Sequence, residues 1–230
     1  MRNGRGQYLL VDADDTLWEN NIYFERVIRS AQELLLRFGV EPHAFREQLN
    51  QTERGHIPIH GYGTRNFTRS LVKAFESRLP PDADPSLSDR VRDLGLGIMS
   101  QPLEIFDEVP ETLEYLSARH SLFLVTKGDP AEQRCKVERS KLKGFFRSVE
   151  ILTEKNVQTY RHLVEKHGLD PNRTWMVGNS PRSDVNPAIS AGLNAVYIPH
   201  VHTWVLEHEP PVKHPCVLEL ERFGDLRLHF

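Results

Sequence analysis

Tyr8-Leu9-Leu10-Val11-Asp12-Ala13-Asp14-Asp15-Thr16-Leu17 is an apolar run that breaks abruptly into acids. Tyr8 to Ala13 is short and rich in β-formers, so it reads as a buried strand ending in a polar loop. Two carboxylates spaced i, i+2, with Asp15 adjacent, then crowd the strand end. Such charges are costly there unless something compensates them. A carboxylate cluster in a loop suits a hard divalent cation, magnesium where phosphate shares the site. A plainer reading of the same residues also stands, because Asp-Asp-Thr commonly caps a helix or a turn.

Three later runs have the same character: Ser121 to Thr126 (SLFLVT), Thr174 to Gly178 (TWMVG) and Asn194 to Pro199 (NAVYIP). Ser148 to Leu152 (SVEIL) is a weaker fifth. Between them lie helical patterns at Pro110 to Arg119, Pro130 to Ser140, Val157 to His167 closed by Gly168, and Val185 to Ala191 closed by Gly192. Alternating strand and helix predict a parallel α/β sheet, whose ligands bind at the carboxyl ends of the strands.

Residues 19–100 break this rhythm. Apolar residues recur there at helical spacing: Ile22 to Phe38 before Gly39, then Ala44 to Leu49, Phe67 to Phe75 and Leu87 to Ile98. The expected organisation is an α/β core of residues 1–18 and 101–230, interrupted by a helical insert over 19–100. Pro80 to Pro85 and Pro102 mark turns at the insert's edge.

Composition narrows the function classes. The 230 residues carry 32 acidic against 29 basic side chains, a net charge of −3, with a mean hydropathy of −0.49. No run approaches the roughly 20 apolar residues of a spanning helix. Near-neutral charge supplies no global field for nucleic acid or an anionic membrane, so recognition must be local. The opening MRNGRGQYLL lacks a signal-peptide pattern, and Cys135 and Cys216 show no metal or disulfide spacing. A cytoplasmic location with reduced thiols is the expectation.

Asp12 to Leu17 resembles the first motif of the haloacid dehalogenase superfamily, DxDx[TV][LV], and the remaining motifs follow in order across residues 12–184. The resemblance implies a Rossmann-like α/β core with an inserted α-helical C1 cap. It makes Asp12 the nucleophile that forms an aspartyl-phosphate and Asp14 the general acid and then base. A carboxylate is a competent covalent nucleophile at neutral pH, whereas Asp14 must hold a proton and so needs a raised pKa. Thr126, in Val125-Thr126-Lys127-Gly128-Asp129, corresponds to the hydroxyl that binds a phosphoryl oxygen; on its own it is an ordinary strand residue. Lys155 corresponds to the cation that neutralises phosphate and nucleophile, ahead of Lys127. Asp129-Pro130-Ala131-Glu132 reads structurally, as a helix cap.

Gly178-Asn179-Ser180-Pro181-Arg182-Ser183-Asp184 resembles the fourth motif, with Asp184 at the second acid. Asn179 stands where the commonest pattern has the first Asp, which removes one charge but keeps an oxygen able to orient a metal-bound water. The implied magnesium ligands are Asp12, Asp184 and the backbone carbonyl of Asp14. Asp184 also fits the cap of the following helix.

Glu53 to Arg65 reads as a glycine-rich inter-helix loop, and Arg54, His56, Tyr62 and Arg65 are its specificity candidates, balanced against ordinary loop composition. Trp18 reads as a core anchor at the cap hinge. His200, His202, His208 and His214 sit among prolines and read as a solvated loop rather than a second metal site. Val217 to Leu228 is expected to dock on the core as a closing segment. The leading expectation is a magnesium-dependent phosphatase acting on a small phosphorylated metabolite. A sugar phosphomutase and a non-catalytic phosphometabolite-binding member are the alternatives, and oligomeric state is left open.

Overall fold

The computed structural model describes residues 6–230. The chain divides into two compact units, one holding the chain up to Glu19 with Leu103–Phe230, the other Asn20–Pro102. Helices α1 (Asn21–Leu36), α2 (Pro42–His60), α3 (Thr64–Glu76) and α4 (Ser86–Leu96) form the second unit. Helices α5 (Val109–Ser117), α6 (Pro130–Ser140), α7 (Val157–His167) and α8 (Asn186–Ser190) belong to the first.

The first unit is built on strands β1 (Tyr8–Val11), β2 (Ser121–Lys127), β3 (Ser148–Leu152), β4 (Thr174–Gly178), β5 (Asn194–Tyr197) and β6 (Val217–Glu219). They form one parallel sheet in the order β3-β2-β1-β4-β5-β6. Strand alternation sorts the apolar residues onto two faces. Leu9, Val11, Leu122, Leu124, Trp175 and Val177 meet Val109, Leu113 and Leu116 of α5 and Val137 of α6. Leu10, Phe123, Val125 and Met176 meet Tyr160 and Leu163 of α7 and Ala188 of α8. Both faces are covered, which is why these strands read as continuous apolar runs. Strand order runs outward in opposite directions from β1 and β4, so the crevice beyond their carboxyl ends is the sheet's switch point.

The closing segment docks on the core as expected, through Leu218, Leu220, Phe223 and Leu226, and Val217 to Glu219 in addition pairs with β5 as a sixth strand. Three residues are too few to show a pattern in sequence.

The second unit has its own core of Leu35, Phe45, Leu49, Leu71, Phe75 and Val91. A Cβ added to Gly95 would lie 2.5 Å from Thr68 Oγ1, so glycine lets α3 and α4 approach closely. The loop expected over residues 53–65 is mostly helix: α2 continues through Pro58 to His60, and only residues 61–63 connect it to α3. Pro58 lies in the last turn and removes one bond, to the carbonyl of Arg54, on an exposed face where water can take it. Among the described residues no helix is long and apolar enough to cross a membrane, and Cys135 and Cys216 are free thiols.

Candidate active site

The site starts where β1 ends. Asp12 N–H extends the ladder to Val177 O at 2.9 Å, and the chain then turns back on itself. Leu17 N–H reaches Ala13 O at 2.8 Å and Asp15 N–H reaches Trp18 O at 2.8 Å, with Asp15 at a left-handed φ of 59°. Ala13, Leu17 and Trp18 are fully buried and pin this turn to the core. The intervening Asp12 and Asp14 are thereby presented at the switch point. Trp18 is the core anchor expected, and its Nε1–H also donates to Asp14 Oδ1 at 2.7 Å.

Lys155, from the loop after β3, is buried with its ammonium between two carboxylates. It donates to Asp12 Oδ1 and to Asp184 Oδ1, the latter at 2.8 Å. Asp12 Oδ2 accepts from Thr16 Oγ1 at 3.1 Å. Asp184 belongs to a wide turn, Pro181–Val185, in which Val185 N–H bonds Ser180 O. Its Oδ2 accepts from Ser180 N–H at 3.0 Å, so the carboxylate faces the site while Ser180 caps the turn. A Cβ on Gly178 would lie 2.2 Å from that Oδ2, so the strand must end in glycine for the carboxylate to fit.

Two buried carboxylates share one ammonium, and the protonation of Asp12 reflects this imbalance. Burial, opposed by Lys155 and reinforced by Asp184, pushes Asp12 from 3.8 up to about 7. Burial works against the charge on Lys155 too, but Asp12 and Asp184 outweigh it and raise its pKa.

Asp14 departs from expectation. Burial raises its pKa, but Lys136, Gln133 and Trp18 together outweigh burial and hold it below the ordinary value. Lys136 Nζ lies 2.9 Å from both carboxylate oxygens, and Gln133 Nε2 donates to Oδ2 at 2.8 Å. The raised pKa expected of a proton donor is therefore absent, because α6 supplies a cation that the first motif does not reveal. Gln133 and Lys136 are spaced i, i+3 on α6, one helical face, and that spacing is the only trace of them in sequence. Gln133 Oε1 also accepts from Thr126 Oγ1 at 3.4 Å, which joins the second motif to Asp14. Asp129 caps α6 as expected, accepting from Ala131 N–H and Glu132 N–H.

Asn179 is buried, with Nδ2 donating to Thr203 Oγ1 at 3.0 Å and Oδ1 facing Thr16 Oγ1 at 3.5 Å. The Thr203 hydroxyl donates to His200 O at 2.9 Å, so toward Asn179 it can only accept. Asparagine answers that need and an aspartate oxygen does not. The donors facing Lys155 and Thr16 are all oxygen, and the carboxylates outnumber the buried ammonium. This hard, electron-rich set fits magnesium held by Asp12 and Asp184, with Asn179 alongside. The Asp14 carboxylate is engaged with Lys136 instead.

The histidine-rich segment is not simply solvated. His200 packs against Phe106, with Nδ1 3.7 Å from Asp15 Oδ1 and Nε2 3.5 Å from Glu19 Oε2. Burial, and after it His202, lower its pKa against the opposing pull of Glu19. In the helical unit, Arg54 and Arg65 are exposed on α2 and α3, and Tyr62 is half-buried in the connection. His56 bonds Ser70 Oγ at 2.9 Å and lies 3.4 Å from Lys73 Nζ; partial burial and that cation hold its pKa down.

No curated protein matches the chain in sequence. A haloacid dehalogenase-like family hydrolase from Xanthomonas campestris is 27% identical, superposes with a TM-score of 0.84, and is covered over 92% of its length by 100% of this chain. The 2-haloacid dehalogenase of Pseudomonas syringae pv. tomato is 21% identical over 97% of this chain and 98% of its own, with a TM-score of 0.59. A HAD phosphatase from Thermococcus onnurineus is also 21% identical, over 97% of each chain, with a TM-score of 0.58. The family model of haloacid dehalogenase-like hydrolases matches residues 7–192, from the start of β1 past the Asp184 turn. That span covers most of the chain and every strand end that meets at the switch point, and the chain belongs to the haloacid dehalogenase-like hydrolases.

Proposed function

We propose that this hydrolase is a magnesium-dependent phosphatase that cleaves a small phosphomonoester through an aspartyl-phosphate on Asp12. The observation that carries the reading is the second acid. Asp14 sits two residues past Asp12 with its carboxylate fixed by Trp18, Gln133 and Lys136. An alkoxide leaving group needs a proton, and a halide does not. A 2-haloacid would also bring a further carboxylate beside Asp12, Asp14 and Asp184, which a dehalogenase site has reason to avoid.

Asp12 attacks phosphorus, the P–O bond to the leaving group breaks, and the Asp14 proton passes to the departing oxygen. Asp14 then takes a proton from water, whose oxygen attacks phosphorus, releasing phosphate and restoring Asp12. Lys155 and Thr126 are placed to hold phosphoryl oxygens. Bound magnesium supplies positive charge to the phosphoryl group and to Asp12. Asn179 would orient a ligand of that ion, and the helical unit has the place in the chain of a C1 cap.

Purified protein should hydrolyse an aryl phosphate with magnesium. Asp12→Asn should abolish turnover, and Asp14→Asn should lower it by about 10²–10⁴-fold. Chloride release from 2-chloropropionate without phosphate release from any phosphomonoester would reject the reading.

A further inference from the structure

We propose that Glu207 is a positioning residue for the metal-side half of the site: it holds the Ser180–Ser183 turn and, through Ser180, the Asp184 carboxylate. The inference rests on the magnesium-dependent reading above for its functional consequence, though not for its geometry.

Glu207 lies in the segment after β5 and is 8% exposed. Its Oε2 accepts from Ser180 Oγ at 2.6 Å and from Ser183 Oγ. Its Oε1 accepts from Lys127 Nζ at 2.7 Å. The hydroxyls therefore have fixed roles. Ser183 Oγ donates to Glu207 and accepts from Lys127 at 2.8 Å, and Ser180 Oγ donates to Glu207 and accepts from Ser183 N–H at 2.9 Å. A carboxylate accepts at both oxygens, so it can order all three donors at once. An amide cannot.

Ser180 is the pivot. Its N–H holds Asp184 Oδ2 at 3.0 Å, its O receives Asp184 N–H at 2.8 Å, and its hydroxyl is tied to Glu207. Tyr160 OH secures the same turn from α7, donating to Ser183 O at 2.8 Å. Glu207 thus acts on Asp184 through one intervening residue. It also pairs with Lys127, a cation next to Thr126 in sequence, which leaves Lys155 as the ammonium seated on Asp12 and Asp184. Partners one shell outside a metal ligand typically alter affinity or activity by about 10–100-fold when removed.

The test uses Glu207→Gln and Ser183→Ala in the full chain, with two readouts. Metal-free crystals of Glu207→Gln should show Asp184 Oδ1 displaced from Lys155 Nζ, 2.8 Å away in the wild type. Calorimetric titration should show Mg2+ binding weakened by about 10-fold or more. With an aryl phosphate, kcat at fixed Mg2+ should fall and be partly restored by added Mg2+, while KM changes little, since Thr126 and Lys155 are untouched. Ser183→Ala, which keeps the charge, should show a smaller shift in the same direction, and it decides alone if Glu207→Gln fails to fold. A lowered melting temperature with Asp184 in place and Mg2+ affinity unchanged overturns the proposal. If the wild-type chain takes up no Mg2+, the magnesium reading falls, and the crystallographic arm still decides the role of Glu207.

Discussion

Replacing Lys155 by Met tests the electrostatic balance of the site directly. The lysine side chain is 2% exposed, with Asp12 and Asp184 at 9% and 1%. Removing one member of a buried ion pair costs about 3–5 kcal/mol, because the partner charge is left behind. Here two partners remain, and the cost must depend on pH. A shift of Asp12 from 3.8 to about 7 corresponds to about 4 kcal/mol that already opposes folding above pH 7. The sign follows from linkage: a carboxyl raised in the folded state keeps its proton while the unfolded chain releases it, so stability falls as pH rises from the unfolded toward the folded pKa. Lys155 is the largest influence lowering that pKa, so Lys155→Met raises it further and extends the fall to higher pH. In metal-free urea unfolding, the deficit of the variant should be about 3–5 kcal/mol near pH 6 and larger near pH 9. Magnesium at about 100 times its dissociation constant adds about 2.7 kcal/mol to a protein that binds it only when folded; removing the competing ammonium should make the variant bind it more tightly than the wild type, so a fixed Mg2+ concentration should narrow the deficit near pH 9. A deficit that is the same at both pH values and indifferent to magnesium would refute the reasoning.

Gly178→Ala places a Cβ 2.2 Å from Asp184 Oδ2; overpacking of this kind costs about 1–3 kcal/mol, and calorimetry should find Mg2+ affinity reduced along with turnover. Asn179→Asp sets an acceptor against Thr203 Oγ1 and adds a charge. It should lower metal-free stability by about 1–3 kcal/mol in thermal melts while tightening Mg2+ binding, and a variant unchanged in both respects would contradict the role given to Thr203. Burial raises the Glu150 pKa, but Lys166, Ser148 and His167 outweigh it and hold it low. Its contribution is therefore present at neutral pH and is lost as pH falls through the depressed pKa, so the stability gap between wild type and Glu150→Gln should close on acidification below the ordinary carboxylate range.

The first five strands were legible because a sheet covered on both faces leaves uninterrupted apolar runs, and SLFLVT and TWMVG are such runs. Val217–Glu219 was not, since an edge strand of three residues between polar segments carries no periodicity. In the helical unit Pro58, Gly55 and two histidines suggested a loop, although a proline in a helix's last exposed turn breaks only one bond. The acids and Lys155 converge at the strand ends as motif order suggested, because strand ends gather in a parallel sheet. The partners of Asp14 and Asp184 were hidden for a different reason. Gln133, Lys136 and Glu207 are 119, 122 and 23 positions from the acids they influence, and their registration is a property of helix packing.

Burial of Asp12 and the partners of Asp14 shift the two acids away from the forms the phosphatase reading requires. Asp12 is pushed toward the neutral form, yet it must attack as a carboxylate; Asp14 is held ionised by Lys136, yet it must give up a proton. Both inversions have the same remedy. Positive charge added on the Asp12–Asp184 side stabilises the Asp12 carboxylate. A phosphate dianion near Asp14 repels that carboxylate and competes for Lys136, and each effect raises the Asp14 pKa. In the phosphatase reading, activation is then tied to the binding of metal and substrate. Lys136→Met then separates the two roles: it should raise the Asp14 pKa and, with Mg2+ saturating so that Asp12 is ionised, move the alkaline limb of the kcat/KM profile upward, since that limb then reports the proton on Asp14. An unmoved limb would show that Lys136 does not govern the proton on Asp14.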